Sequence, residues 1–183
     1  MSEPIRQDFW TWSVKCYGGD GVEPVLLKLQ DEFDLNVNIL LWCCWCAERF
    51  PVLPDIAIRK AMDLSKHWAQ DVSGALRRAR RSLKTPPPEA DADAADALRR
   101  RIKEAELAAE RIEQTMYETL ALMMFEDGAL TAKIRRRARR NLATYVALSG
   151  AARKTGFTMS LMETLIDRIF PCAEEAGASP AKE

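Results

Sequence analysis

The sequence lacks the features that mark several classes of protein. It has no run of about 18 apolar residues, the length needed to cross a bilayer as a helix, and its longest apolar stretch, residues 39–47, has nine. No charged segment precedes an apolar one at the N-terminus, as it would in a secretory signal peptide. Neither sign of charge is in excess, since Lys plus Arg and Asp plus Glu both number 27. We therefore expect a cytoplasmic protein with no membrane span and no global attraction to nucleic acid.

Residues arranged for catalysis or metal binding are also scarce. There is one histidine, His67, and no glycine-rich phosphate loop or serine elbow. The five cysteines are an odd number, and Cys43, Cys44 and Cys46 lie within four positions, which disfavours a disulfide framework. Cys43 and Cys46 could share a metal ion with Cys16 or His67, but the second thiolate pair usual in such sites is missing. We expect buried, reduced thiols, no enzyme activity, no catalytic residue, no cofactor and no metal.

Strict alternation of apolar and polar residues, which is typical of a strand, is found nowhere in the chain. Helical spacing is found almost throughout instead. Asn36 and Ser160 are expected N-caps of the third and last helices. The predicted helices are residues 5–17, 22–33, 37–49, 55–84, 91–126, 130–148 and 160–170.

Two of these helices are long and are separated by three prolines at 86–88. Apolar residues recur every three or four positions in both, and in the second they fall at 98, 102, 105, 109, 112 and 116. This spacing suits two antiparallel helices packed together. We expect an all-α fold, a compact helical bundle with a long antiparallel helical hairpin. The predicted single domain, residues 1–183, comprises an aromatic- and cysteine-rich part (5–52), the hairpin (55–126), C-terminal helices (130–171) and a flexible tail (172–183).

The N-terminal quarter is dense in large side chains. Four of the five tryptophans (10, 12, 42 and 45) and four of the five cysteines lie within the first 46 residues. Packing so many aromatic rings into a short stretch predicts one tightly specified cluster. Polar residues interrupt it, and they either form a buried hydrogen-bonded network or close a small pocket that presents a surface to a partner. The candidate pocket or partner residues are Trp10, Tyr17, Gln30, Asp31 and Asn38.

Three motifs in this region carry a resemblance to a known family. They read FWxWSxxxY over residues 9–17, LxLQD over 27–31 and VNxLLxCCW over 37–45, and a further block covers residues 68–84. In this order they resemble a small, uncharacterised family of helical proteobacterial proteins, a domain of unknown function. The resemblance covers about half of the chain and implies a helical fold. It brings no catalytic or binding residues to this sequence.

The pentapeptide RRARR occurs twice, at residues 77–81 and 136–140. Two such clusters on one face could grip phosphates through Arg77, Arg81, Arg136 and Arg140. The alternative is that these residues lie on solvated faces or pair with glutamates of the hairpin. No aromatic residue is interleaved to stack on bases.

The leading functional hypothesis is a non-enzymatic protein-interaction or adaptor module whose partner is another protein. Its contact surface would be the hairpin or the aromatic-rich end. The alternative is binding of RNA or DNA backbones through the two arginine clusters. A third hypothesis is a small-ligand, metal or redox site at the N-terminal cluster of aromatic residues and cysteines. The sequence predicts no oligomeric state.

Overall fold

The computed structural model describes residues 7–126, 132–154, 156 and 159–171. In these ranges the chain forms eight α-helices and no strand, which confirms the all-α prediction. The helices are α1 (Phe9–Tyr17), α2 (Val22–Phe33), α3 (Val37–Arg49), α4 (Asp55–Trp68), α5 (Gly74–Ser82), α6 (Ala92–Met124), α7 (Ile134–Ser149) and α8 (Met159–Ile169). A π-helical turn (Ala69–Ser73) joins α4 to α5, and a 3₁₀ turn (Ala151–Arg153) follows α7.

Helix α3 lies at the centre of the bundle. All nine residues from 39 to 47 are buried, because α1, α2, α6 and α7 pack around them. A helix that is apolar on every side is stable only when it is covered on every side. Asn141 of α7 fixes one of these contacts, since its Nδ2 donates to the carbonyl oxygen of Cys43 (3.0 Å) and its Oδ1 accepts from the amide of Leu53 (2.9 Å). The nine-residue apolar run is therefore the core of the protein.

The predicted hairpin is present. Its first arm is α4, the π turn and α5, and its second arm is the 33-residue helix α6. The indole nitrogen of Trp68 crosses between the arms and donates to the carbonyl oxygen of Ala109 (3.1 Å).

The seam predicted for the second arm is partly wrong, because Leu98 and Ile112 are about half exposed (48% and 51%). Contact with α1 and α3 turns inwards a stripe of α6 that shares Ala109 with the predicted seam and continues at Tyr117 and Ala121.

Several predicted helix ends need correction. Helix α1 begins at Phe9, because the Asp8 carboxylate accepts a hydrogen bond from the amide of Thr11 and caps the helix there. Residue 5, the expected start, lies outside the described residues. Ser160 is not an N-cap, since it lies within the first turn of α8. Asn36 is confirmed as the cap of α3. Residue 130, the expected start of α7, and the expected flexible tail at 172–183 lie outside the described residues.

The four N-terminal tryptophans do not form one buried cluster as predicted. Trp42 and Trp45 are fully buried, whereas Trp10 and Trp12 are partly exposed on α1. The Trp45 ring packs against Phe9, with ring centroids 5.4 Å apart. Helix α1 thus keeps one aromatic face in the core and presents another at the surface.

In the described part of the chain, no helix is long and apolar enough to cross a bilayer.

Candidate binding pocket

A pocket of about 640 Å³ opens between α1, the start of α3 and the hairpin. Four of the five candidate residues from the sequence line it: Trp10, Tyr17, Gln30 and Asn38. The fifth, Asp31, is exposed on α2 and does not line the pocket. The full lining is Trp10, Ser13, Val14, Tyr17, Gln30, Asn36, Val37, Asn38, Leu41, Ala69, Ser73, Gly74, Arg77, Leu107, Glu110, Glu113 and Gln114.

The helical repeat of α1 supplies one wall. Trp10, Ser13, Val14 and Tyr17 are spaced by three, one and three residues, so they project from one side of the helix. The indole ring of Trp10 lies beneath the guanidinium of Arg111, whose Cζ is 5.8 Å from the ring centroid. This wall is therefore aromatic and backed by the hairpin.

The floor of the pocket is a chain of side-chain hydrogen bonds that joins three helices. The Ser13 hydroxyl donates to Gln114 Oε1 (2.6 Å), and Gln114 Nε2 donates to Asn38 Oδ1 (2.8 Å). Asn38 Nδ2 in turn donates to Glu113 Oε2 (3.0 Å). Asn38 therefore belongs to a hydrogen-bonded network and also lines the pocket.

Glu113 is the end point of this network. Its side chain is buried, with 4% exposure, and its second oxygen accepts from the hydroxyl of Tyr117 (2.7 Å). Burial raises the pKa of Tyr117, and the negative charge of Glu113 raises it further, so this hydroxyl keeps its proton and remains a donor. In the described part of the chain, no lysine or arginine forms an ion pair with Glu113.

The hairpin contributes charged residues to the mouth. Glu110 is more than half buried, and burial raises the pKa of its carboxyl, while the guanidinium of Arg77 acts in the opposite direction. One turn further along the hairpin, Arg80 Nε contacts Glu106 Oε2 at 2.7 Å. This ion pair lies outside the pocket lining.

The π-helical turn forms the side of the pocket opposite α1. Ala69, Ser73 and Gly74 line it, and the amide of Gly74 donates to the carbonyl oxygen of Ala69. A Cβ atom at Gly74 would lie 2.3 Å from that oxygen, so a larger residue cannot enter without reshaping the turn. Single π turns inside α-helices are frequent at functional sites.

Sequence reasoning missed two residues of the floor, Glu113 and Gln114. The inward stripe of α6 could have revealed them, since Ala109, Tyr117 and Ala121 place position 113 on the buried face at intervals of four. The predicted spacing at 105, 109, 112 and 116 shares only position 109 with this stripe. The recurrence of 109, 113, 117 and 121 at intervals of four was visible in the sequence, but the packing of α1 and α3 decides that this stripe is the buried one.

The family model of DUF2390, a family of proteins of unknown function, matches residues 8–117. The chain belongs to this family. No curated protein and no solved structure matches the chain. All pocket-lining residues, from Trp10 to Gln114, lie within the matched range. The pocket is thus built from the part of the chain that DUF2390 defines.

The two arginine clusters differ in their relation to DUF2390, because residues 77–81 lie inside the matched range and 136–140 lie outside it. The first cluster is on α5, which packs on α6, and the second is on α7, which packs on α3, α4 and α8. Arg139 pairs with Glu163 through two contacts of 2.5 and 2.6 Å. The candidate residues Arg77, Arg81, Arg136 and Arg140 are all exposed.

The thiols near the pocket are buried and unpaired. Cys43, Cys44 and Cys46 are fully buried, and burial is the largest cause of the raised pKa of each thiol. Burial also raises the pKa of Cys16 to about 12. Among the described residues, no three histidine, cysteine or acidic side chains are grouped to hold a metal ion. Thiols of this kind are poor nucleophiles, because the reactive thiolate is scarce.

An apolar groove of about 450 Å³ lies elsewhere on the hairpin, between α4 and α6. Its lining includes Leu64, Ile112, Met116 and Met123, and Met123 is 80% exposed. The pocket between α1 and the hairpin differs from this groove in having a polar floor.

Proposed function

We propose that this chain is a non-enzymatic protein-interaction module whose pocket receives a segment of a partner protein. The pocket itself carries the proposal: its floor is a polar, hydrogen-bonded network, while apolar side chains stand exposed in its lining. Val14 and Leu107 both line it and are more than half exposed (54% and 55%). Apolar side chains that stand exposed beside a pocket add apolar surface that a partner can cover.

The groups in the pocket support binding rather than turnover. The described residues that line it include no histidine or cysteine, and the Ser13 hydroxyl donates to an amide oxygen instead of a general base. The cytoplasm is the proposed location, because the four described cysteines are free thiols.

A pull-down with matched surface variants tests this proposal. Val14→Arg places a long charged side chain at the rim, on an exposed position where the fold tolerates it. Leu27→Arg makes the same change at an exposed site on α2 outside the pocket. We expect a partner identified by mass spectrometry to be retained by the wild type and by Leu27→Arg, but lost with Val14→Arg. Equal retention by all three proteins would contradict the proposal.

Nucleic-acid binding is a second candidate, favoured by one observation. Arg80 and Arg139 are occupied by Glu106 and Glu163, whereas the four arginines singled out from the sequence are exposed. If these arginines and their neighbours neutralise about six phosphates, binding to duplex DNA would show a log–log salt slope near −5. A double Arg136→Ala, Arg140→Ala variant would reduce the slope by about two. A shift assay without salt-dependent binding would eliminate this candidate.

A further inference from the structure

Charged residues face each other across the hairpin at two successive turns. Arg80 on α5 pairs with Glu106 on α6 (2.7 Å). One turn towards α4, the charge of Arg77 acts on Glu110, and both residues line the pocket. Because the two arms run antiparallel, the step of about one turn from residue 80 back to residue 77 corresponds to the step from residue 106 forward to residue 110. Arg80 thus forms an ion pair with Glu106, whereas at Glu110 the charge of Arg77 opposes, without outweighing, the effect of burial.

One turn further along α6, an acidic residue has no such cation beside it. Glu113 is the next acidic residue on that face of α6, and it is buried and lines the pocket. The first arm contributes Ala69, Ser73 and Gly74 to the same lining, and none of them carries a charge. In the described part of the chain, no ion pair joins Glu113 to a lysine or arginine. Glu113 therefore lines the cavity without the cation that Glu106 has in Arg80.

From this arrangement we infer that the bound partner supplies the missing cation, an arginine or lysine side chain that enters the pocket and pairs with Glu113. This inference rests on the proposed function, since it names the chemistry of the partner segment. A buried carboxylate is costly without a compensating positive charge, so an incoming cation gains a strong charge-assisted hydrogen bond.

The hydrogen bonds of the floor favour a donor as ligand. The hydroxyl of Ser13 and one amide hydrogen each of Gln114 and Asn38 are directed within the floor, as is the hydroxyl of Tyr117. Each oxygen of Glu113 accepts one bond in this network and can accept a second. The floor thus offers acceptor capacity to a guanidinium or ammonium group.

The charge of the pocket lining also favours a positively charged ligand. Among the described residues that line the pocket, two are acidic, Glu110 and Glu113, and one is basic, Arg77. The described lining therefore carries more negative than positive charge.

The shape of the π turn leaves room for this group. Gly74 has no side chain, and the clash of a Cβ with the carbonyl oxygen of Ala69 (2.3 Å) disfavours any other residue there. The turn therefore places a residue without a side chain in the pocket lining.

A titration of the full-length ¹⁵N-labelled protein with two blocked peptides tests the inference. One peptide is Gly-Ser-Arg-Ser-Gly, and the other has citrulline, which is uncharged and nearly the same shape, in place of arginine. We expect the arginine peptide to shift the resonances of the Trp10 indole and the Asn38 side-chain amide. It should bind at least about tenfold more tightly than the citrulline peptide. Equal binding of the two peptides would overturn the inference, as would the absence of shifts up to about 20 mM peptide, well above a millimolar Kd.

Three variants locate the interaction. Glu113→Gln keeps the size of the side chain and removes its charge, and we expect about tenfold weaker binding of the arginine peptide. Ser73→Lys supplies an internal cation from the opposite arm, so it should block the peptide and raise Tm. Glu106→Gln, at an acid already paired with Arg80, should leave peptide affinity unchanged. Unchanged binding by both Glu113→Gln and Ser73→Lys would overturn the inference.

A titration with butylguanidine tests whether the ligand is an arginine side chain of a protein or a small free cation, because this compound carries the charge without peptide groups. Tighter binding of the arginine peptide supports a partner segment, whereas equal binding would overturn the assignment to a protein side chain. The pull-down and the titrations test the two proposals separately. If Val14→Arg loses a partner but the arginine peptide does not bind, the inference of a bound cation is overturned, while the proposal of an interaction module is still supported.

Discussion

The Ser13 hydroxyl donates a 2.6 Å hydrogen bond to the side-chain oxygen of Gln114, a residue 101 positions away. This bond ties the first helix to the middle of the hairpin, and both residues are buried. Ser13→Ala would leave the Gln114 oxygen without this donor in a site that water cannot easily reach. We expect the free energy of unfolding to fall by about 1–3 kcal/mol, measured by urea denaturation.

Ser82→Ala is the matched control for this change. Ser82 is an exposed residue at the end of α5 whose hydroxyl donates to the carbonyl oxygen of Arg78. Removing it should alter the free energy of unfolding by less than about 0.5 kcal/mol. Equal losses for the two variants would mean that the bond to Gln114 has no special role.

Asn141 satisfies two buried backbone groups at once. Asn141→Ala would leave both the Cys43 carbonyl and the Leu53 amide without this partner. Each such group costs about 1–3 kcal/mol, so we expect a loss of about 2–5 kcal/mol in the free energy of unfolding. Asn141→Asp keeps the acceptor for Leu53 but sets a second acceptor oxygen against the Cys43 carbonyl in a fully buried site, so it should not restore stability. A loss below about 1 kcal/mol for Asn141→Ala would contradict this account.

Local signals in the sequence predicted most helices of this fold. Asn36 was recognisable as a cap from its place before an apolar run, and the buried run itself fixed the position of α3. Asn141 was not recognisable, because its role depends on α7 packing against a helix nearly 100 residues earlier. Glu113 was missed for the same reason: its burial depends on α1 and α3 and not on its neighbours in α6. Periodicity identifies a helix, but long-range packing decides which of its faces is buried.

Gly74 offers a test of the π turn. Gly74→Ala would bring a Cβ to 2.3 Å from the Ala69 carbonyl oxygen, so the turn must shift. We expect a loss of about 1–3 kcal/mol in the free energy of unfolding, as for other steric overpacking. At Gly18 the nearest atom to an added Cβ is 3.6 Å away, an ordinary contact. Gly18→Ala should therefore be neutral or slightly stabilising in the same denaturation assay. Tolerance of alanine at Gly74 with no change in Tm would show that the turn can rearrange freely.

The buried thiol of Cys43 should make the folded protein less stable at alkaline pH. Burial raises the pKa of its thiol, so in the folded protein it stays protonated where the thiol of the unfolded chain ionises. Stability is therefore complete below pH about 8.5 and falls as pH rises above it, by up to about 1.4 kcal/mol per pH unit for each such group. Cys43→Ala should cost about 1–2 kcal/mol at pH 7 through lost burial. The difference from the wild type should shrink above pH about 9 in urea denaturation. A difference independent of pH would contradict the shifted pKa.

The enclosure of α3 has a consequence for synthesis of the chain. Asn141, which holds the Cys43 carbonyl, follows it by 98 residues. At about 5–20 residues per second, α7 leaves the ribosome roughly 5–20 s after α3. Throughout this interval the apolar side of α3 that α7 later covers remains open to other chains. The nascent protein thus passes through a period of aggregation risk that ends only when its C-terminal third is made.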